Sequence, residues 1–322
     1  MNILEAFQLA IDQEMSNQSA LKIFGQGVWH PSYQLHTLDN LPEKYGKDRV
    51  RDCPISESAV TGMAAGYALS GGRSFVVHPR IDFAIYAMDA LSNTIPKWRY
   101  FLGQDIPFPI TICFFIKRGD GIGPQQSQSL QAWFAHIPGL KIYYPSDVVS
   151  TYNTLRWALN AQDPVILFLD SEVLDYNDPK ITAKALQSRK ITQPKIALRG
   201  SDAQLTLVSY GIMHARTKAL IEKNHLLEKV NLIDLNVLHL SDHSVIIESV
   251  KNTNKLLVIE DTWSFCSIGD GVIKNVVKAL PSTPLVVDDL HLPFTFSPTA
   301  KCLEEAYYIS DTQILRKIKS LL

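Results

Sequence analysis

The stretch LKIYYPSDVVSTYNTLRWALNAQDPVILFLD, residues 140–170, reads as a strand, a helix over residues 148–160 and a second strand, PVILFLD. A strand, a helix and a strand in succession imply parallel pairing, because the chain must cross back before it re-enters the sheet. The same alternation runs upstream. PITICFFI (109–116) reads as a buried strand, and a glycine-rich loop over residues 118–126 leads from it into a helical stretch over 127–135. RSFVVHP (73–79) is another strand, followed by a helical segment over 83–102 that Pro96 should kink or break. Before it, Ser56 stands where a helix cap would, ahead of a small-residue helix over 58–70 that Gly71 and Gly72 stop. LKIFGQGV (21–28) is a strand entering a glycine turn, and residues 3–15 carry apolar positions at helical spacing.

Downstream, residues 176–201 form a polar, lysine-containing connection with Pro179 and Pro194. A second alternating series then begins near Gln204: QLTLVSYG, a helix over 214–224, VNLIDLN, a helix over 243–250, KLLVIED, a helix over 268–279 and TPLVVDD. The expected fold is therefore α/β, a mainly parallel domain followed by a smaller α/β domain.

Composition narrows the function classes. In 322 residues, 46% are hydrophobic and 20% charged, as in an ordinary globular protein, and the net charge of -1 offers no basic excess for a nucleic-acid backbone. The 4 cysteines are scattered, with no CxxC or Cys/His pair, which argues against a disulfide framework or zinc site and fits a reducing cytoplasm. The start, MNILEAFQLAIDQEM, lacks the basic residues and unbroken apolar core of a secretion signal, and no long uncharged run suits a membrane span.

Read by themselves, the chemical motifs are weak. Gly119-Asp120-Gly121 and Gly269-Asp270-Gly271 resemble the GDG with which thiamine enzymes hold Mg²⁺ and diphosphate, but no Asn-Asn pair follows either. The first reads as a flexible loop, and the second as a helix start where Asp meets the positive dipole end. Glu57 opens a helix, where an acid is stabilising whatever the function. No HExxH, G-x-S-x-G, P-loop or GxGxxG occurs. His136 reads as part of a loop, Trp133 and Phe134 as core, and Lys97, Trp98 and Arg99 as interface candidates.

Three longer runs carry more. DRVRDCPISESAVTGMAAGYALSGGRS (48–74), IDFAIYAMDAL (81–91) and GPQQSQSLQAWFAHIPGLKIYYPSD (123–147) resemble the β subunit of the decarboxylating component of 2-oxo acid dehydrogenase complexes. LLVIEDTW (256–263) and DDLHLPFTFSPTAKCLEEAYY (288–308) extend the resemblance over nearly the whole chain. It implies a transketolase-like pyrimidine-binding domain over residues 1–178, a linker over 179–203 and a transketolase-type C-terminal domain over 204–322. It also implies thiamine diphosphate as cofactor, with an α-type partner in an α₂β₂ assembly holding the diphosphate and Mg²⁺, so that a missing Asn-Asn pair is expected. Glu57 matches the glutamate of the family's PISE motif, which bonds ring nitrogen N1′ and favours the tautomer in which the cofactor's own amino group acts as base. Phe83 matches an aromatic that packs on the aminopyrimidine ring. The small residues Ala59, Gly62, Ala65, Gly66 and Ala68 suit either an interface or close helix–sheet packing.

Two departures bear on the reaction. Gln126 stands where the family's loop has His, and Gln26 where its first strand ends in Glu. Both replacements remove an ionisable group, and Gln neither gains nor donates a proton near neutral pH. The resemblance thus implies a carbanion formed from a 2-oxo acid or ketol, passed either to lipoamide or, with histidine absent, to an aldehyde by carboligation or ketol transfer. His78 and Arg80, after the strand RSFVV, are candidates to read a substrate anion. Beside this catalytic reading stand a β-like subunit that only stabilises or regulates a partner, and an unrelated α/β protein binding another nucleotide-like ligand.

Overall fold

The computed structural model describes all residues except Gln104, 200–202 and 240–241. It divides into two compact units, the first comprising Met1–Lys117 and Trp133–Pro194, the second Arg118–Ala132 and Lys195–Leu322.

The first unit is built on six parallel strands: β1 (Leu21–Gln26), β2 (Val50–Cys53), β3 (Arg73–His78), β4 (Ile110–Ile116), β5 (Lys141–Tyr143) and β6 (Val165–Asp170). Their order across the sheet is β2-β1-β3-β4-β6-β5. β4 and β6 are buried at every position, as expected for central strands with both faces covered. Helix α1 (Ile3–Asn17) starts from a capping box between Asn2 and Glu5 and turns Phe7, Ala10, Ile11 and Met15 inward. It packs on the helix Val148–Asn160, and buried Glu14 receives Arg156 Nε at 2.6 Å across that contact. A short helix α2 (Leu41–Tyr45) precedes β2, and α3 (Glu57–Leu69) lies against β3 and reaches β1.

The helical segment expected over 83–102 is three pieces: a 3-10 helix Ile81–Ala87, a π turn Ala90–Thr94 and a helix Trp98–Leu102. The buried Ile81, Ala84 and Ala87 recur every three residues, which is the 3-10 period. Pro96 has no N–H to give, and Ile95, just before it, donates to Ala90 O at 2.9 Å, the widened bond of a π turn.

The second unit holds β7 (Ala197–Arg199), β8 (Leu205–Ser209), β9 (Val230–Asp234), β10 (Lys255–Trp263) and β11 (Val286–Leu292), in the order β11-β10-β8-β9-β7. All neighbours are parallel except β7, which pairs antiparallel with β9 as an edge. β7 falls within the stretch that the sequence suggests is a connection. Among the described residues, no helix is long and apolar enough to cross a membrane, and the cysteines are free thiols.

Candidate active site

In the first sheet, the strands to one side of β1 run to β2, and those to the other side start with β3. Where the winding direction reverses, the loops leaving the strands' carboxyl ends diverge and leave a crevice, the usual ligand position in open parallel sheets. The residues at that place are Gln26, closing β1, and His78, closing β3. Gly25 pairs with Val77 in the β1–β3 ladder, so Gln26 and His78 follow side by side. Gly25 is required there: a side-chain carbon on it would lie 2.6 Å from Val77 O.

Gln26 is 1% exposed, and among the described residues neither atom of its side-chain amide has a hydrogen-bond partner. Buried amides left so are rare and destabilising. His78 is wholly buried, stacked on Phe114 at 5.2 Å between ring centroids, with Nε2 3.0 Å from Thr61 Oγ1 and Nδ1 without a partner among the described residues. Burial pushes its pKa down to about 3, so the ring is neutral and offers an incoming group a single nitrogen, not a cation. Thr61 lies one helical turn beyond Glu57, on the inward face of α3. Glu57 itself is 7% exposed at the first position of α3, where the helix dipole favours a carboxylate. Phe83, half-buried on the 3-10 helix after β3, stacks on Tyr86 at 6.4 Å, and half-buried Arg80 occupies the turn leading into that helix. Gln26, Glu57, His78, Arg80 and Phe83 thus share the carboxyl edge of one sheet. Thr61 was not singled out from sequence, although its spacing from Glu57 was the available signal.

Gln126 belongs to the second unit, on the segment Arg118–Ala132. That segment is tied down by side chains rather than regular structure. Arg118 forms an ion pair with Asp261, both nearly buried, and Gly121 N–H donates to Glu304 at 3.0 Å. Thr262 Oγ1 donates to Ser129 O at 3.1 Å, and Gln131 Nε2 to Tyr210 Oη at 3.0 Å. Tyr210 in turn donates at 2.8 Å to Glu260, which is fully buried and also meets Gly269 N–H and His291 Nε2. Burial first, then the charge of Glu260, raises the Tyr210 pKa well above its usual value, so it acts as a fixed donor. The helix predicted over 127–135 forms only at Gln131–Ala135. Phe134 is buried against Phe114 and Phe168, but its neighbour Trp133 is 49% exposed, contrary to the core position expected for it.

The second GDG triplet is a helix start. Asp270 closes a capping box with Ser267 at the start of the helix Ile268–Ala279, and Gly269 is needed because a side chain there would strike Glu260. Among the described residues, no three His, Cys, Asp or Glu side chains are grouped to hold a metal ion. The small residues of α3 divide between two faces. Ala65 and Ala68 are buried, while Ala59, Gly62 and Gly66 are exposed, with open space beside both glycines. Exposed Met63 adds to this outward face; Ile55, Tyr86, Tyr100 and Phe101 are further exposed apolar side chains in the unit.

Comparison with known proteins gives a consistent picture. Residues 1–175 match the pyrimidine binding domain of transketolase, and residues 195–314 the transketolase C-terminal domain. The mitochondrial pyruvate dehydrogenase E1 component subunit beta-2 of Oryza sativa subsp. japonica is 32% identical over 282 residues, 86% of this chain and 74% of that protein. The pyruvate dehydrogenase E1 component subunit beta of Rickettsia conorii is 28% identical over 325 residues, 100% of this chain and 98% of that one. Among solved structures, a split-gene transketolase described as an inactive beta4 tetramer shares the fold, with a TM-score of 0.76 at 17% identity over 99% of this chain and 97% of that chain.

Proposed function

This chain belongs to the transketolase-like family that includes the pyruvate dehydrogenase E1 β subunits, and from that premise we propose that it is the β-type subunit of a heteromeric thiamine-diphosphate-dependent enzyme acting on 2-oxo acids or ketols. The observation that carries this reading is the carboxyl edge of the first sheet, which holds both buried Glu57, at the start of the helix after β2, and a buried Gln26 amide whose two polar atoms find no partner among the described residues. Such a set fits the aminopyrimidine of thiamine, a flat ring edged with donors and acceptors. When bound, the cofactor supplies a carbon nucleophile able to cleave the bond beside a ketone. Glu57 holds a proton at ring atom N1′, Phe83 covers the ring and excludes water, and Gln26 hydrogen-bonds its polar edge. His78 presents neutral Nδ1 to an uncharged oxygen of the substrate, and Arg80 its guanidinium to an anionic group. The diphosphate and Mg²⁺ are held by an α-type partner in an α₂β₂ assembly. The exposed small and apolar residues of α3 and its surroundings support a protein interface there.

In its finer detail, the proposed reaction hands the cleaved fragment to an aldehyde, by carboligation or ketol transfer, because Gln126 cannot supply the proton that opening a lipoyl disulfide requires. The names of the relatives favour a second reading, a conventional 2-oxo acid dehydrogenase β subunit passing acyl groups to lipoamide. Calorimetric titration with thiamine diphosphate and Mg²⁺ tests the two-subunit reading common to both. The purified chain should bind weakly or not at all, and the chain with its α-type partner tightly. Tight stoichiometric binding by the chain alone would overturn it.

A further inference from the structure

The second sheet has its own reversal of winding, with β9 on one side of β8 and β10 on the other. The segment Arg118–Ala132 meets the sheet at that edge, Gln131 at Tyr210 just after β8 and Ser129 at Thr262 in β10. The register brings three strands together there. Ser209 pairs with Ile259 and Ile259 with Leu290, so the residues that follow, Tyr210, Glu260 and His291, stand side by side. Glu260 is fully buried, and a carboxylate only accepts. Its Oε2 receives Gly269 N–H at 2.9 Å and His291 Nε2 at 2.8 Å, and its Oε1 receives Tyr210 Oη at 2.8 Å. A tyrosine has one hydroxyl hydrogen. With that hydrogen given to Glu260, the oxygen faces Gln131 as an acceptor and takes its Nε2–H at 3.0 Å. A polarised chain thus runs from His291 through Glu260 and Tyr210 to the segment that bears Gln126. The His291 side chain is 4% exposed and surrounded by acids: Glu260 from β10, Asp289 from its own strand with Oδ1 3.6 Å from Nδ1, and Asp270 from the helix Ile268–Ala279. The next carboxylate along β10, Asp261, has its own cation in Arg118. Burial lowers the pKa of His291, but the bond to Glu260 and the charges of the three acids outweigh it, and the net value is raised.

We propose that His291 is a positioning residue for the segment carrying Gln126, holding it through Glu260, Tyr210 and Gln131 while the ring is protonated and releasing it when the proton is lost. The imidazolium is the counter-charge of a buried carboxylate. A neutral ring keeps its Nε2–H on Glu260 but leaves the negative charge uncompensated, which is costly away from water. Admitting water relieves that cost, and the segment, tied by side chains rather than a strand ladder, is the cover most easily opened. The sign follows from the raised pKa. Histidine in the unfolded chain titrates near 6.5, so the hold is fully present below about pH 6.5 and is lost as pH rises through the higher folded value. The proposal rests on the functional reading above only for the part which that reading gives Gln126 in the reaction.

The test is limited proteolysis of the full-length chain within residues 119–126, from about pH 6 to about pH 9. An unstructured reference peptide in the same tube cancels the protease's own pH dependence, and circular dichroism at each pH confirms that the chain stays folded. No cofactor or partner is present, so this result stands apart from the thiamine diphosphate titration that tests the functional reading. Relative nicking of the parent should rise by about tenfold or more over that range, a size usual for coupling between linked sites. His291→Gln retains a donor towards Glu260 but carries no charge, and should be nicked fast at every pH. Tyr210→Phe cuts the chain between Glu260 and Gln131 and should also be fast and independent of pH. The proposal is overturned if the parent shows no rise, which needs no variant to be seen, or if either folded variant keeps the parent's pH response.

Discussion

Thr61 Oγ1 and His78 Nε2 meet at 3.0 Å with both residues fully buried, so that the helix carrying Glu57 is fastened to the tip of β3 through an uncharged imidazole. That contact has a pH signature of definite sign. In the unfolded chain histidine titrates near 6.5, whereas burial in the folded chain lowers the value to about 3. Below pH 6.5 the unfolded state takes up a proton that the folded state refuses. His78 therefore contributes stability that is fully present above pH 6.5 and is lost as pH falls toward 3. Between pH 7 and pH 5 the loss from this group should be about 2 kcal/mol. Urea unfolding of the parent and of His78→Phe at both pH values measures it, and an unchanged difference in the variant would show that His78 is not the titrating group.

Glu57→Gln keeps the shape of the side chain and its place at the helix start. In the complex reconstituted with an α-type subunit, assembly should survive, checked by light scattering, while turnover falls by about two powers of ten or more, as when positioned proton transfer is lost. Rates within a few-fold of the parent would reduce Glu57 to a helix-end acid.

Gln126 separates the two proposed acceptors. Incubation of the two-subunit enzyme with a 2-oxo acid, an aldehyde and a lipoyl domain, followed by mass spectrometry, should give an acyloin or ketol and little acylated lipoyl domain. Efficient acylation with no carboligation product would return the chain to the conventional dehydrogenase reading.

The pair Arg118–Asp261 anchors the start of the segment bearing Gln126, and each side chain is under a tenth exposed. Asp261→Asn removes the carboxylate from a nearly buried ion pair and should cost about 3 kcal/mol or more. It should also open residues 119–126 to limited proteolysis. Arg118→Met combined with Asp261→Leu should be milder than Asp261→Asn alone, since both charges of the pair are then replaced together by apolar groups. Equal damage from the single and double variants would show that the pair is not what holds the segment.

Much of the fold was readable because each central strand is a continuous apolar run, as in ITICFFI and VILFLD, and such runs have few other solutions. The broken region around Pro96 was harder. Its apolar residues fit several helical periods, and only tertiary packing selects among 3-10, π and α turns. β7 was hidden for a different reason: three residues at an edge carry too little pattern to stand out from a polar connection. In the proposed site, Glu57 and Phe83 were singled out through the resemblance of their surroundings. The neutral state of His78 was not, because it depends on Phe114 and Thr61, which come from distant parts of the chain.

The reversal of strand order between β1 and β3 also bears on how such a protein changes its task. The crevice is created by winding, which the apolar middles of the strands enforce, whereas the proposed recognition rests on the last residue of each strand, Gln26 and His78. A mutation at either tip can alter which molecule is welcomed and leave the interior untouched. The two functions are separable along the length of a single strand, so a lineage carrying this sheet can explore new chemistry one end residue at a time.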